Sequence, residues 1–170
     1  MTNRKLSSLL ATLMLSAFAL QAQAQEATFN IESDVDSQMM AYTHNSTTLD
    51  THMPDMGYSP VSKTFSPSTM RLDFQTTDPT KGLAVTLINN TGLVGRFDPA
   101  NTAATTISFN GVAMTTGTAI TLTKDQMAWT VHGAGGESKA GFPLTVAANG
   151  PVTVSDEYHG NFTVQFAVDL

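Results

Sequence analysis

Cysteine is absent from the 170-residue chain, so disulfides, thiolate metal sites, cysteine nucleophiles and thiol redox motifs are all excluded. Basic residues are scarce, eight Lys and Arg against fourteen Asp and Glu, and beyond Lys5 they stand singly from Lys63 to Lys139. No clustered basic face can form to grip a phosphate backbone, and no nucleic-acid partner is expected. Charged residues make up only 13% against 41% hydrophobic, which is the balance of one packed domain and not of a disordered chain. Long apolar runs are also missing. None approaches the roughly 18 residues of a membrane-spanning helix except a shorter one at the N-terminus.

That N-terminal run has the form of an export signal. Arg4-Lys5 precedes a mostly apolar stretch from Leu6 to Leu20, and Ala22-Gln23-Ala24 supplies small residues one apart. Cleavage after Ala24 is expected, with residues 1–24 as signal peptide and a mature chain starting at Gln25. Removing them takes away Arg4 and Lys5 but no acid, so six basic residues remain against fourteen acidic ones, a formal charge of −8.

The strong helix formers Glu, Lys, Arg and Leu are thin, while Thr, Val and Ile recur. This favours strands, and the periodicity agrees. Ala27, Phe29, Ile31, Ser33 and Val35 alternate with Thr28, Asn30, Glu32, Asp34 and Asp36, and Phe162, Val164, Phe166, Val168 and Leu170 alternate in the same way at the C-terminus. Between these ends the sequence predicts shorter strands at 70–74, 83–88, 106–109, 118–123, 127–131, 142–147 and 152–154, with a helical turn over 100–104. Asp78-Pro79, Asn90-Thr-Gly92, Asn110-Gly111, Gly133 to Gly136 and Asn149-Gly150-Pro151 are the expected turns. Many short strands without helical crossovers predict an all-β antiparallel sandwich or barrel. The strand directly after the cleavage site has two readings: the first strand of its own sandwich, or a free extension that completes a neighbour's sheet.

Chemistry-bearing patterns are sparse. His132-Gly133-Ala134-Gly135-Gly136-Glu137-Ser138 lacks the spacing of a dinucleotide or phosphate loop, and no Gly-x-Ser-x-Gly elbow exists. No catalytic residues and no cofactor follow, and an enzyme is not expected. Met39, Met40, His44, Asp50, His52, Met53, Asp55 and Met56 gather thioethers and imidazoles that could take copper in an exported protein. The eight-residue separation of His44 and His52 fits no tight ligand spacing, and methionine is equally a core filler, so no metal site is assigned. Asn45-Ser46-Thr47, Asn89-Asn90-Thr91 and Asn161-Phe162-Thr163 match the glycosylation triplet, a motif common by chance.

Two linked stretches carry a family resemblance. Tyr58-Ser59-Pro60-Val61-Ser62-Lys63-Thr64-Phe65 resembles the Tyr-Ser-Pro-x-Ser-Lys-Thr-Phe segment of the alpha-class, or class 5, fimbrial major subunits, typified by colonisation factor antigen I of enterotoxigenic bacteria. Downstream, Thr77-Asp78-Pro79-Thr80-Lys81 is similar to that family's Asn-Asp-x-Thr-Lys segment, with Gly82 in place of a usual Lys. Gly160-Asn161-Phe162-Thr163 resembles the Gly-Asn-Tyr-Ser that opens the family's last strand, and residues 29–36 resemble its donor strand, although Asp34 and Ser37 depart from the usual Ser and Pro.

The resemblance implies an immunoglobulin-like sandwich that is incomplete and is completed by donor-strand exchange. Residues 25–36 would be the N-terminal donor strand, with Ala27, Phe29, Ile31 and Val35 as its inward plugs, and 37–170 the pilin domain. It also implies export through the periplasm to a cell-surface fimbrium, with a periplasmic chaperone, an outer-membrane usher, a tip adhesin and identical subunits as partners, in a fibre that attaches to host surfaces. The alternative is an exported β-sandwich binding module, a copper carrier using the Met/His segment or a carbohydrate binder.

Overall fold

The computed structural model describes residues 39–169, so the expected signal peptide and donor strand lie outside the described residues. In chain order the elements are β1 (Met39–Thr43), β2 (Tyr58–Ser59), β3 (Thr64–Phe65), β4 (Ser68–Thr76), β5 (Gly82–Asn90), β6 (Leu93–Gly95) and β7 (Thr102–Ala103). There follow β8 (Thr105–Phe109), β9 (Val112–Ala113), β10 (Ala119–Leu122), α1 (Lys124–Met127), β11 (Thr130–His132), β12 (Gly135–Ala148), β13 (Tyr158–His159) and β14 (Phe162–Asp169).

Every ladder between these strands is antiparallel. The larger sheet runs β1-β4-β12-β8-β9, with β11 against the first residues of β12, and the facing sheet runs β10-β5-β14. Alternation explains the layering. Met70, Leu72 and Phe74 of β4, Ile107 and Phe109 of β8, and Phe142, Leu144 and Val146 of β12 turn inward to meet Leu83, Val85 and Leu87 of β5. Phe166 reaches across from β14, its ring centroid 5.3 Å from Phe74 and 6.3 Å from Phe109. These edge-to-face rings bind the two layers.

The registers define two poles. Met39 and Gly136 pair with Thr76, and Leu122 with Leu83, while Asp169 pairs with Gly82, so β1 begins and β14 ends beside the turn that carries Asp78. At the opposite pole Val146 pairs with Ser68 and Phe162 with Asn90. Two small sheets, β2-β3 and β13-β6-β7, close that end.

Three expectations need correction. Met127 to Val131 is not a continuous strand: Thr123 and Gln126 form a capping box that starts α1, Ala128 ends it in the left-handed conformation, and pairing begins at Thr130. Val152 to Val154 forms no ladder, because the Val152 and Val154 carbonyls accept from the Tyr58 and Tyr158 hydroxyls. Residues 100–104 are no helical turn; the chain turns at Pro99 and Ala100, and Thr102–Ala103 pairs with β6.

One feature had no local signal. Asp73 occupies an outward position of β4 yet is only 1% exposed, because β12 bulges between Ser138 and Phe142 and His44 folds over it. Its carboxylate accepts from the Gly141 amide at 3.0 Å and lies 2.9 Å from His44 Nδ1. Gly141 has φ 64, and a side chain there would press on the His44 ring.

Candidate functional site

Strand β14 is eight residues long and pairs, among the described residues, on one side only, with β5. Its Phe162, Val164, Phe166 and Val168 alternate half-buried with exposed Thr163, Gln165 and Ala167. Among the described residues strand β1 likewise pairs only with β4, and its Met39 and Ala41 pack partly against the core. The two edges approach each other along one flank of the sandwich. Among the described residues this seam leaves the outer edge of β14 without a ladder above a partly covered apolar row, the requirement for accepting another strand. Sequence reasoning identified β14 as an alternating strand but not as an edge with one neighbour; the row of four bulky apolar residues was the available signal. Ala27, Phe29, Ile31 and Val35 lie outside the described residues.

The family-like residues build turns. Tyr58 and Ser59 pair with Phe65 and Thr64, and Pro60 to Lys63 make the connection. Ser62 donates its amide to Ser59 Oγ at 3.3 Å and its hydroxyl pairs with Thr64 Oγ1 at 2.8 Å, with Lys63 in the left-handed region at φ 57. The hairpin clamps a distant segment: the Val152 amide donates to the Lys63 carbonyl at 2.6 Å, and the Tyr58 hydroxyl donates to the Val152 carbonyl at 2.9 Å. Phe65 lies between Tyr58 and Tyr158, 5.2 and 5.8 Å away by ring centroid. Together with Val152, Val154 and Asp156 these rings line a cleft of about 350 Å³.

Asp156 organises the rim of that cleft. The Asn101 amide, joined by the Phe97, Asp98 and Glu157 backbone N–H groups, holds its carboxyl down to about 2. Beside it Arg96 reaches Glu157 at 2.9 Å.

Asp78, Thr80 and Lys81 form the opposite pole. The Thr80 hydroxyl and amide donate to Asp78 Oδ1 at 2.5 and 3.0 Å, which lowers that carboxyl below its ordinary range. The Trp129 indole donates to the Lys81 carbonyl at 2.9 Å, fastening α1 and β11 to the turn. Gly82, where the family's usual Lys is replaced, sits where a side chain would run into the Leu122 carbonyl. Gly160 is held by the same kind of contact, its missing side chain leaving room for the Gly92 carbonyl as Thr91 and Asn161 exchange hydrogen bonds of 3.0 and 3.1 Å.

The Met/His segment is dispersed. Met53 and Met56 pack against the core, and His44 faces Asp73. Among the described residues no three His, Asp or Glu side chains converge as a metal-binding group. The remaining cluster of ionisable groups is structural: Tyr42 donates to Glu137 at 2.7 Å, and burial together with that carboxylate raises the phenol above its ordinary range.

The model of the CS1 type fimbrial major subunit family matches residues 25–167. No curated protein matches the chain. Among solved structures, the CooA pilin subunit from enterotoxigenic Escherichia coli matches with a TM-score of 0.65 at 18% identity, over 78% of this chain and 86% of that chain, which is a likeness of fold. Given the length of the family match and the all-β immunoglobulin-like sandwich, the chain belongs to the CS1 type fimbrial major subunit family, as a non-enzymatic structural subunit of a cell-surface fimbrium that assembles with identical copies.

Proposed function

We propose that this subunit polymerises by laying residues 25–36 of one copy along the open edge of β14 in the next. The observation that carries the reading is β14 itself, a pole-to-pole strand with a ladder on one side among the described residues and a half-buried apolar row. Donation satisfies both deficits at once, since the incoming backbone pairs the free edge while Ala27, Phe29, Ile31 and Val35 cover the row. The donor runs antiparallel to β14, in keeping with every other ladder of the fold.

Residues 1–24 direct export and are removed, residues 25–36 serve the neighbour, and residues 37–170 form the pilin domain. A subunit with an open edge is an aggregation hazard before assembly. A periplasmic chaperone therefore occupies the seam until an outer-membrane usher exchanges it for a donor strand, and a tip adhesin ends a fibre that supports attachment to host surfaces.

Deleting residues 25–36 tests the reading. The truncated chain keeps its acceptor edge and loses its donor, so it should accumulate with its chaperone and form no fibres. Long fibres seen by electron microscopy would refute strand donation.

A further inference from the structure

The pole built by the Tyr58 hairpin carries an apolar surface that the fold does not use. Val61 is 94% exposed, Phe97 79%, Val154 50% and Tyr58 46%, half of the eight large apolar side chains left exposed among the described residues. They sit on anchored loops: Asp156 accepts from the Phe97 amide at 3.0 Å, Tyr158 donates to the Val154 carbonyl at 3.1 Å, and Tyr58 is held by its own bond to Val152. The polar groups nearby are engaged, Asp156 with four donors and Glu157 with Arg96. What remains is a group of exposed apolar side chains at one pole, Tyr58 and Val154 lining the cleft and Val61 and Phe97 on the hairpin and the loop beside it, the mark of a protein contact.

Chain length identifies the occupant, given the strand-donation reading. A donor antiparallel to β14 ends at the Phe162 pole of the acceptor, which is the pole bearing this patch. Asp36 closes the donor and Met39 opens β1 of the donating copy, three residues on, a reach of at most about 11 Å. Met39 lies at its own domain's Asp78 pole, where Trp129 is half-buried and Val131 is 59% exposed. We infer that the patch of Tyr58, Val61, Phe97 and Val154 is a second subunit–subunit contact, covered in the fibre by the Asp78 pole of the donating copy through Trp129 and Val131. The contact is heterologous and repeats at every junction.

The absence of cysteine makes the test clean. Fibres assembled by the cells that make them from a Val61→Cys/Val131→Cys variant should, on oxidation, run as a ladder of covalent multimers, whereas either single variant should stay uncrosslinked. A Val61→Asp/Phe97→Asp variant should still give strand-linked oligomers that survive mild detergent, in fibres severalfold shorter than wild type. Wild-type fibre length from the aspartate variant without a ladder from the cysteine pair overturns the inference, and so do dimers from Val61→Cys alone, which would place two Tyr58 poles together. If the aspartates disturb folding, the ladder alone decides. Deletion of residues 25–36 addresses strand donation separately, so failure of the seam and failure of the pole contact are distinguishable.

Discussion

Phe166 offers the most direct measure of strand donation, because its ring belongs half to the core and half to the open seam. On the core side it meets Phe74 and Phe109 at 5.3 and 6.3 Å, and its other side is only partly covered. Truncating a fully buried Phe to Ala costs about 3–5 kcal/mol, and a half-covered ring forfeits about half as much. Phe166→Ala should therefore cost about 2 kcal/mol in the chain lacking residues 25–36, and about 4 kcal/mol once a donor covers the ring.

The covered state can be made in one chain by joining residues 25–36 behind Leu170. Strand β14 ends at the Asp78 pole, where an antiparallel donor begins, so a linker of about four residues, reaching at most about 18 Å, suffices. A parallel donor would have to start about 27 Å away at the other end of this eight-residue strand, beyond that reach. Urea titration of the four proteins, with and without donor and with Phe or Ala at 166, isolates the coupling as a shift in midpoint at constant slope. Equal losses in both backgrounds would refute the idea that the donor covers Phe166. A short-linked fusion no more stable than the truncated chain would refute the antiparallel direction.

Ile31→Asp should block fibre formation while Asn30→Asp leaves it intact, since alternation sends only the former into the apolar seam; equal yields by electron microscopy would contradict that facing. Asp73→Ala should lower the unfolding free energy by about 3 kcal/mol in denaturant titration, because the Gly141 amide and His44 lose their buried acceptor. The Asp156 carboxyl is depressed to about 2 from its ordinary value of 3.8, so its anchoring of the Phe97 loop is complete above pH 4 and is lost as pH falls through about 2. Amide resonances of Phe97 and Asp98 should move through that window in wild type and stay still in Asp156→Asn. Gly160→Ala should destabilise the domain by forcing the Gly92 carbonyl aside, read as a lower melting midpoint.

Legibility in the sequence followed the range of the interactions. Strands with five or more alternating residues, such as 83–88 and 162–169, were readable because period two is a local property. The two- and three-residue strands of the β13-β6-β7 sheet are too short to carry a period. Met127-Ala-Trp129-Thr-Val131 alternates well, and only the Thr123/Gln126 capping box marked a helical turn instead. Asp73 resembles any outward strand residue, since what buries it is a bulge some seventy residues downstream and a histidine from another strand's end. The Tyr58-to-Phe65 motif pointed to the family, but its work as a clamp on Val152 depends on residues far along the chain. The one-sided pairing of β14 among the described residues was hidden for the same reason: alternation tells which side chains face inward, but not which flank of a strand lacks a neighbour.

The pairing of Gly82 with Asp169 also sets the tempo of folding. The central strand β5 waits for almost the last residues of the chain, and β4 waits for β12. Among the described residues only the hairpins β2-β3, β6-β7, β8-β9 and β11-β12 can zip from neighbouring residues. Chains ruled by such distant pairings fold in milliseconds to seconds, far more slowly than helical bundles of similar stability. During that interval β4 and β5 lie bare with their Leu, Val and Phe side chains. Chain order alone thus gives this subunit a need for protection that begins before its fold is complete, and protein engineering could relieve it by moving β14 next to β5 in the sequence.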